Sequence, residues 1–436
     1  MLWGMSRYQW TVFFAAWLGW GFDVFDGLLF NFVAPVAVPQ LLGVSPADPA
    51  GATRVTAVTG LVTSSLLVGW ATGGILFGWV TDRVGRARTL QLTIVIYALA
   101  TAACALAPDV WTLVALRFVA SLGIGGEWAA GAALVAEVVP SQRRVAAGAL
   151  LYTSAPVGIL LAGAVTDLFT NRIDVLAARP DLAWRFVFLT GVVPALFAAW
   201  IRRHVAEPEV WRRERTEHPR LAELFTPELR RATLGGLAMC LVTLLTWWAT
   251  NAFLPFVAEH LGRERGAAAV EQHKGRATVL FTTGGFLGTL ATIPLARLGR
   301  RPLFAIYLAG AALSIWLTFG LDWDPVTRTR LLFLDGLTVF GVVGAFSFYL
   351  PELFPTRLRG TGSGFCFNVG RYLAAAGPSV VGVALGAAAT PMDAIRWVAL
   401  VPLAGLCLVP FIVETAPQRT AGAWQPRGAP SRMREP

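Results

Sequence analysis

The chain has 436 residues, of which 56% are apolar and only 14% charged, against roughly 25% charged in ordinary soluble proteins. Mean hydropathy is +0.60, and uncharged apolar runs long enough to cross a bilayer of ~30 Å recur along the chain, which excludes a soluble globular protein and predicts an integral membrane protein of helices. The formal net charge of +10 does not point to nucleic acid, because the basic residues sit at the ends of apolar runs and not in one patch interleaved with aromatics.

Twelve spans are expected, at about 10–38, 56–80, 89–107, 110–138, 145–168, 184–201, 232–257, 277–296, 302–321, 331–351, 361–387 and 395–414. An even number places both termini on one side. Sorted by that topology, 23 of the 36 basic residues lie on the side of the termini and 11 on the other, with Arg117 and Arg371 left inside spans. The excess predicts cytoplasmic termini in an inner (plasma) membrane. Span one follows Arg7, but it outruns a signal peptide and carries Asp23 and Asp26, so it reads as a membrane span. The expected units are a first six-helix bundle (1–201), a cytoplasmic linker (202–231), a second six-helix bundle (232–414) and a disordered tail (415–436). The linker's mixed charges fit a short amphipathic helix on the inner leaflet or a solvated connection.

Span two is Gly-rich and runs from Gly69 through Gly78 into Asp82, Arg83, Gly85, Arg86 and Arg88. A weaker copy, Ala296-Arg297-Leu-Gly299-Arg300-Arg301, lies 214 residues later. Span four ends Glu137-Val-Val-Pro140-Ser-Gln-Arg-Arg144. Span ten ends Glu352-Leu-Phe-Pro355-Thr-Arg-Leu-Arg359, 215 residues on. Two matched motifs at nearly one offset predict a parallel repeat of two six-helix halves.

These motifs resemble the major facilitator superfamily of secondary transporters. Its loop signature is met by Gly69, Gly78, Asp82, Arg83, Gly85 and Arg86, with Arg88 one place late. Span four adds Arg117-Phe-Val-Ala-Ser-Leu-Gly123-Ile-Gly125, similar to the family's second motif. Phe22-Asp23-Val-Phe-Asp26, Gly125-Gly126-Glu127-Trp128 and the corner at Pro351–Gly362 resemble its proton-coupled organic-acid branches, the aromatic-acid, sialate/lactate and metabolite symporters. Val24 departs from the aromatic-acid pattern, which has Gly there, and Ala296 replaces the Asp of the second loop motif. The resemblance implies a latch between halves that stabilises the outward-open state, built on Gly78, Asp82, Arg83, Gly85, Arg86, Glu137, Arg144, Glu352 and Arg359. It also gives Arg117 a part in proton coupling.

A charge in the bilayer needs a partner, a water path or a proton, so the ionisable residues within spans are informative. Asp23 and Asp26 share a helix face, continued by Phe30. They are expected either to take up the coupled proton, Asp26 first with Asp23 assisting, or to pair with arginines. Arg117 is alternatively a structural partner for Asp23. Glu127, about 80° round the helix from Arg117, is a second proton-site candidate. Arg371 offers a fork for a carboxylate, with Asn368 beside it; the alternative is an ion pair with Asp23, Asp26 or Asp335. Trp247 and Asn251 stack on one face of span seven as a wall for a small anion, or face lipid. Asp335 is expected to reach water at the outer end of span ten.

Cys104, Cys240, Cys366 and Cys407 lie singly in apolar runs and read as small buried hydrophobes. The histidines, His204, His218, His260 and His273, are expected in loops. No nucleophile–base pair, metal-ligand cluster or phosphate loop was found, so neither an enzyme nor a cofactor or metal site is expected. The reading is a monomeric symporter of a small organic anion and protons, working in the lipid bilayer by alternating access. The alternatives are a neutral sugar or polyol carrier, a drug or metabolite exporter, or a non-transporting receptor.

Overall fold

The computed structural model describes residues 4–45, 48–214, 219–262, 267–374 and 391–416; within these, the side chains at 202, 252–256, 258–262, 267–273, 373–374, 391 and 394 fall outside the description. Ten helical segments are long and apolar enough to cross a membrane: Arg7–Leu42, Pro49–Val84, Arg86–Cys104, Val110–Val138, Ser141–Arg172, Pro180–Ile201, Arg230–Asn251, Lys274–Leu295, Arg300–Phe319 and Pro325–Leu353. They are spans one to ten. The first part of span eleven is Arg359–Ala374. Arg396–Phe411 is a shorter apolar helix at span twelve. The rest of expected span eleven and the tail beyond 416 lie outside the described residues.

The helices start where side chains supply acceptors. Ser6 and Gln9 cap span one reciprocally. Asp48, Asp109 and Asp324 accept from Gly51 N (3.2 Å), Thr112 N (2.9 Å) and Val326 N (2.9 Å) at the starts of spans two, four and ten. These three caps sit at one end of the molecule. The arginine-rich corners sit at the other, here termed the basic end. Several spans are broken, among them span six, by a tight turn at Thr190–Val192 between Pro180–Leu189 and Val193–His204. Span five turns at Thr153, between Arg144–Tyr152 and Ser154–Asp167. Span ten passes from α-helix through a wide π-turn, Gly336–Phe340, and a tight turn, Gly341–Ala345, before Phe346–Leu353.

The sequence repeat is a structural repeat. At each corner a glycine with positive φ, Gly85 (124°) and Gly299 (122°), turns the chain into the next helix. The following arginine reaches a glutamate from two spans on: Arg86 Nη2 to Glu137 Oε1 at 2.9 Å, and Arg300 Nη2 to Glu352 Oε1 at 2.7 Å. Each new helix has its free N–H groups capped by a distant carboxylate. Glu207 accepts from Arg86, Ala87 and Arg88 N at 2.7–3.2 Å. Glu414 accepts from Arg300 and Arg301 N at 2.7–3.0 Å.

The linker forms the expected short helix, Glu209–Glu214, and a turn, Leu221–Phe225. Much of it is exposed, but two of its side chains anchor it to the basic end. Trp211 is buried there and donates to Asp82 O at 2.9 Å, and Glu223 pairs with Arg357. Two expectations are corrected. Cys104, Cys240 and Cys366 are buried, but Cys407 is exposed. His204 ends the helix Val193–His204 and stacks on Trp200, and the backbone is helical at 260 and 273.

Candidate functional site at the interface of the two halves

Span one presents its two carboxylates to different neighbours. Asp26 is fully buried and accepts from Thr101 Oγ1 of span three at 2.6 Å and from Arg117 Nη1 of span four at 3.0 Å. Arg117 Nη2 also donates to Asp26 O at 2.9 Å. This buried pair is saturated on the carboxylate side, which is the condition for tolerating two charges away from water. Arg117 is thus a partner of Asp26 and not of Asp23, because it reaches the helix turn that Asp26 occupies.

Asp23, three residues earlier, is equally buried and turns to Glu127 of span four. All four of their carboxyl oxygens lack a hydrogen-bond donor. Gly19 makes room for this contact: a Cβ there would stand 2.2 Å from Glu127 Oε1. Two carboxyl groups facing each other in a dry site are only acceptors unless one carries a proton, which then bridges them. The tenfold step in sequence between Arg117 and Glu127 carries the two side chains to Asp26 and Asp23 respectively. Span three adds Thr101 and the buried Tyr97, whose hydroxyl has no hydrogen-bond partner. A lone Thr or Tyr in an apolar span gives no sequence signal for this.

Arg371 lies across the interface, on span eleven. It is 4% exposed and stacks on Trp70 of span two (4.3 Å to the ring centroid) and on Phe367 (4.9 Å). Its Nη1 donates to Asn368 Oδ1, whose amide donates to Gly364 O at 2.8 Å. Among the described residues no carboxylate forms an ion pair with Arg371. Thr72 and Tyr372 hydroxyls, 2.8 Å apart, tie the same two spans.

Aromatic rings continue from this arginine. Phe367 stacks on Trp128 at 4.1 Å, and Trp128 meets Trp20, which meets Tyr152. Tyr152 meets Phe340, and Phe340 meets Trp247. The indole N–H groups of Trp20, Trp70, Trp128, Trp247 and Trp248 have no acceptor. Trp247 is half-buried against Phe340 and Trp248, and Asn251 is half-buried one turn on. Phe30 departs from expectation. It is buried in a separate apolar cluster with Val33, Trp184 and Phe188, towards the end opposite the corners. Of the rings, Trp20, Trp70, Tyr152 and Phe340 were missed in sequence. Mid-span position of Trp, away from the interfacial ends of helices, is the signal that would have marked the first two. Asp335 is also placed differently from expectation: it is fully buried and does not reach water.

At the basic end the two halves are locked together. Asp82 Oδ1 and Oδ2 accept from Gly360 N (3.0 Å) and Thr361 N (2.7 Å), the free N–H groups at the start of span eleven, and from Thr361 Oγ1 (2.7 Å). A carboxylate at a helix N-terminus meets both unsatisfied donors and the positive end of the helix dipole. Arg86 Nη1 lies 3.0 Å from the same carboxylate. Glu137 bridges Arg86 and, across the interface, Arg359 Nη1 at 3.0 Å. Gly78 lets the backbones touch: a Cβ there would fall 2.7 Å from Gly360 O. Arg144, the counterpart of Arg359, makes no such bridge; with Glu352, Arg300 and Arg359 it lines a cleft of about 520 Å³. Arg83 stacks on Trp79, outside the lock.

Two helical halves, a lock at one end and a buried polar site between them define a membrane carrier, not an enzyme. The chain matches the family model described as Major Facilitator Superfamily over residues 10–378, and it belongs to that family. It is 33% identical over 384 residues to a protein of Cupriavidus pinatubonensis named a "probable 4-methylmuconolactone transporter", covering 87% of this chain and 84% of that one. It is 27% identical to the gentisate transporter of Corynebacterium glutamicum, covering 85% and 81%. The solved proton:xylose symporter XylE shares the fold, with a TM-score of 0.74 at 18% identity over 94% of this chain and 96% of that one. The twelve-helix architecture in two pseudo-symmetric halves is therefore that of this family, and the chain is a transmembrane transporter.

Proposed function

We propose that the chain is a proton-coupled symporter of a small organic anion, with Arg371 as the anion site and the Asp23–Glu127 pair as the proton site. The observation that carries this reading is a buried arginine with no carboxylate partner among the described residues, set among aromatic rings and unpaired indole donors. Both curated relatives have names that specify organic acids, in keeping with that site. The coupling has a physical route. A positive charge between the halves favours the anionic form of the carboxyl groups near it. A substrate carboxylate on Arg371 offsets that charge, so anion and proton each favour the binding of the other. Asp26, held by Arg117 and Thr101, then serves to hold spans one, three and four together and to fix Asp23 against Glu127.

In this reading residues 1–201 and 232–414 rock about the central site, and 202–231 carries the connection under the basic end. That end faces the cytoplasm of the inner membrane, and the Asp82, Glu137 and Arg359 lock closes it while the site is open to the other side. The test is uptake into proteoliposomes containing purified protein, with gentisate as probe and xylose as competitor. An inwardly directed proton gradient is expected to drive gentisate accumulation, which Arg371→Ala abolishes. Transport of xylose in place of any carboxylate, or gentisate uptake indifferent to the gradient, would overturn the proposal.

A further inference from the structure

Asp335 forms no hydrogen bond or ion pair with the residues of the site above and is equally buried. It is the last residue of the α-helical part of span ten, and the π-turn Gly336–Phe340 follows it. Such single wide turns recur at functional sites in helices. Ser314 and Thr318 of span nine, one helical turn apart, face its carboxylate. Ser314 Oγ stands 2.9 Å from Thr338 Oγ1, one turn beyond Asp335 on span ten. Asp335, Ser314 and Thr318 thus bring a carboxylate and two hydroxyls together between spans nine and ten, with Thr338 against Ser314. Asp335 and Thr318 are 0% exposed, and neither the two Asp335 oxygens nor Thr318 Oγ1 completes a hydrogen bond.

Among the described residues, Asp335 forms no ion pair. The arginines nearest the start of span ten are engaged elsewhere. Arg328 donates to Leu321 O, and Arg276 and Arg330 line an outer cleft. Tyr307 of span nine donates to Gly288 O. The first half shows a buried acid that is balanced. There a span-three hydroxyl, Thr101, and a span-four arginine, Arg117, hold Asp26 of span one. One repeat later the places of Asp26, Thr101 and Arg117 fall at Cys240, Ile315 and Leu332. The acid of the second half stands instead on span ten, the counterpart of span four, with hydroxyls of span nine beside it and no arginine paired to it among the described residues.

We propose that Asp335, with Ser314 and Thr318, binds a monovalent cation, a proton or a sodium ion, which balances its buried carboxylate. An isolated ionised carboxylate in a dry site is too costly to persist, and an all-oxygen donor set suits a hard cation. The site is independent of the Asp23–Glu127 pair and does not rest on the substrate reading.

The experiment is thermal unfolding of the purified full-length protein. NaCl is titrated against choline chloride at fixed pH, and pH is titrated in choline chloride alone. Wild-type protein is expected to gain at least about 2 °C in unfolding midpoint on binding one of the two ions. Asp335→Asn should lose that gain, and Thr318→Val should need about tenfold more ion for it. Asp23→Asn should keep it. A sodium gain that Asp335→Asn loses assigns sodium, and a pH-dependent gain lost in the same variant assigns the proton. Should Asp335→Asn fail to fold, the Thr318→Val midpoint decides. A wild-type response to neither ion, or a response that Thr318→Val leaves unchanged, overturns the proposal.

Discussion

Asp26 and Asp23 are three residues apart on one helix, yet they predict opposite mutational behaviour. Arg117→Leu leaves the Asp26 carboxylate buried with Thr101 as its remaining donor, and breaking such a pair costs about 3–5 kcal/mol. Adding Asp26→Leu removes the stranded charge and should restore most of the lost stability, read as the thermal midpoint of the double variant against the single. Asp23→Asn and Glu127→Gln strand nothing, because each supplies an amide donor to the facing carboxyl group. Those variants should fold at wild-type yield, keep substrate exchange, and lose accumulation driven by a proton gradient by about tenfold, equivalent to ~1.4 kcal/mol. Arg371→Lys keeps the charge but loses the planar fork and its stacking on Trp70. Substrate affinity should fall about tenfold or more, measured by binding at equilibrium, and a wild-type affinity would remove Arg371 from the anion site.

Helix starts and helix contacts carry the predictions at the scale of elements. Asp82 joins span two to the first turn of span eleven through two backbone N–H groups and one hydroxyl. A charged acceptor makes each bond worth about 1.5–3 kcal/mol, and Asp82→Asn weakens all three without touching the central site. The maximal transport rate should therefore fall several-fold while KM stays within about twofold. Glu414 caps span nine. Burial pushes its carboxyl up, but the N–H groups of Arg300, Arg301 and Ala416 outweigh burial and hold it below the ordinary glutamate value of 4.5. A depressed value in the folded state gives stability that is present above about pH 4.5 and is lost as pH falls through the folded value. Glu414→Gln should lower the thermal midpoint at pH 7 and flatten its fall below about pH 4.5.

Over the whole molecule, what was legible in sequence and what was not follow from the range of the interactions. Span positions and the two-fold repeat depend on local hydropathy and on corners such as Asp82–Arg88 and Arg297–Arg301, so they could be read directly. The family was legible for the same reason. The pairing of Asp26 with Arg117, of Asp23 with Glu127, and the burial of Asp335 depend on which helix faces meet, and periodicity within one helix does not state its neighbour. The capping of span three by Glu207 joins residues 119–121 apart in sequence, which hid the linker's role. In the proposed alternating-access cycle, these long-range contacts would have to break for the basic end to open. Glu137 bridges Arg86 within the first half and Arg359 of the second, so it biases closure in a way a contact within one half cannot. Glu137→Gln removes a charge that two arginines share. A loss of about 1.4 kcal/mol for the closed form shifts closed to open tenfold. Thr81 is fully buried where span eleven crosses span two, and a Cβ on Gly360 would lie 2.1 Å from its methyl group. A cysteine there should be reached by a soluble thiol reagent only when the basic end opens. In a Cys407→Ser background, Thr81→Cys should react slowly, and adding Glu137→Gln should raise the rate about tenfold. Saturating organic-anion substrate should alter both rates in the same direction, since a ligand bound between the halves acts on the same equilibrium. Equal rates with and without Glu137→Gln would show that the lock at this end does not set the resting state.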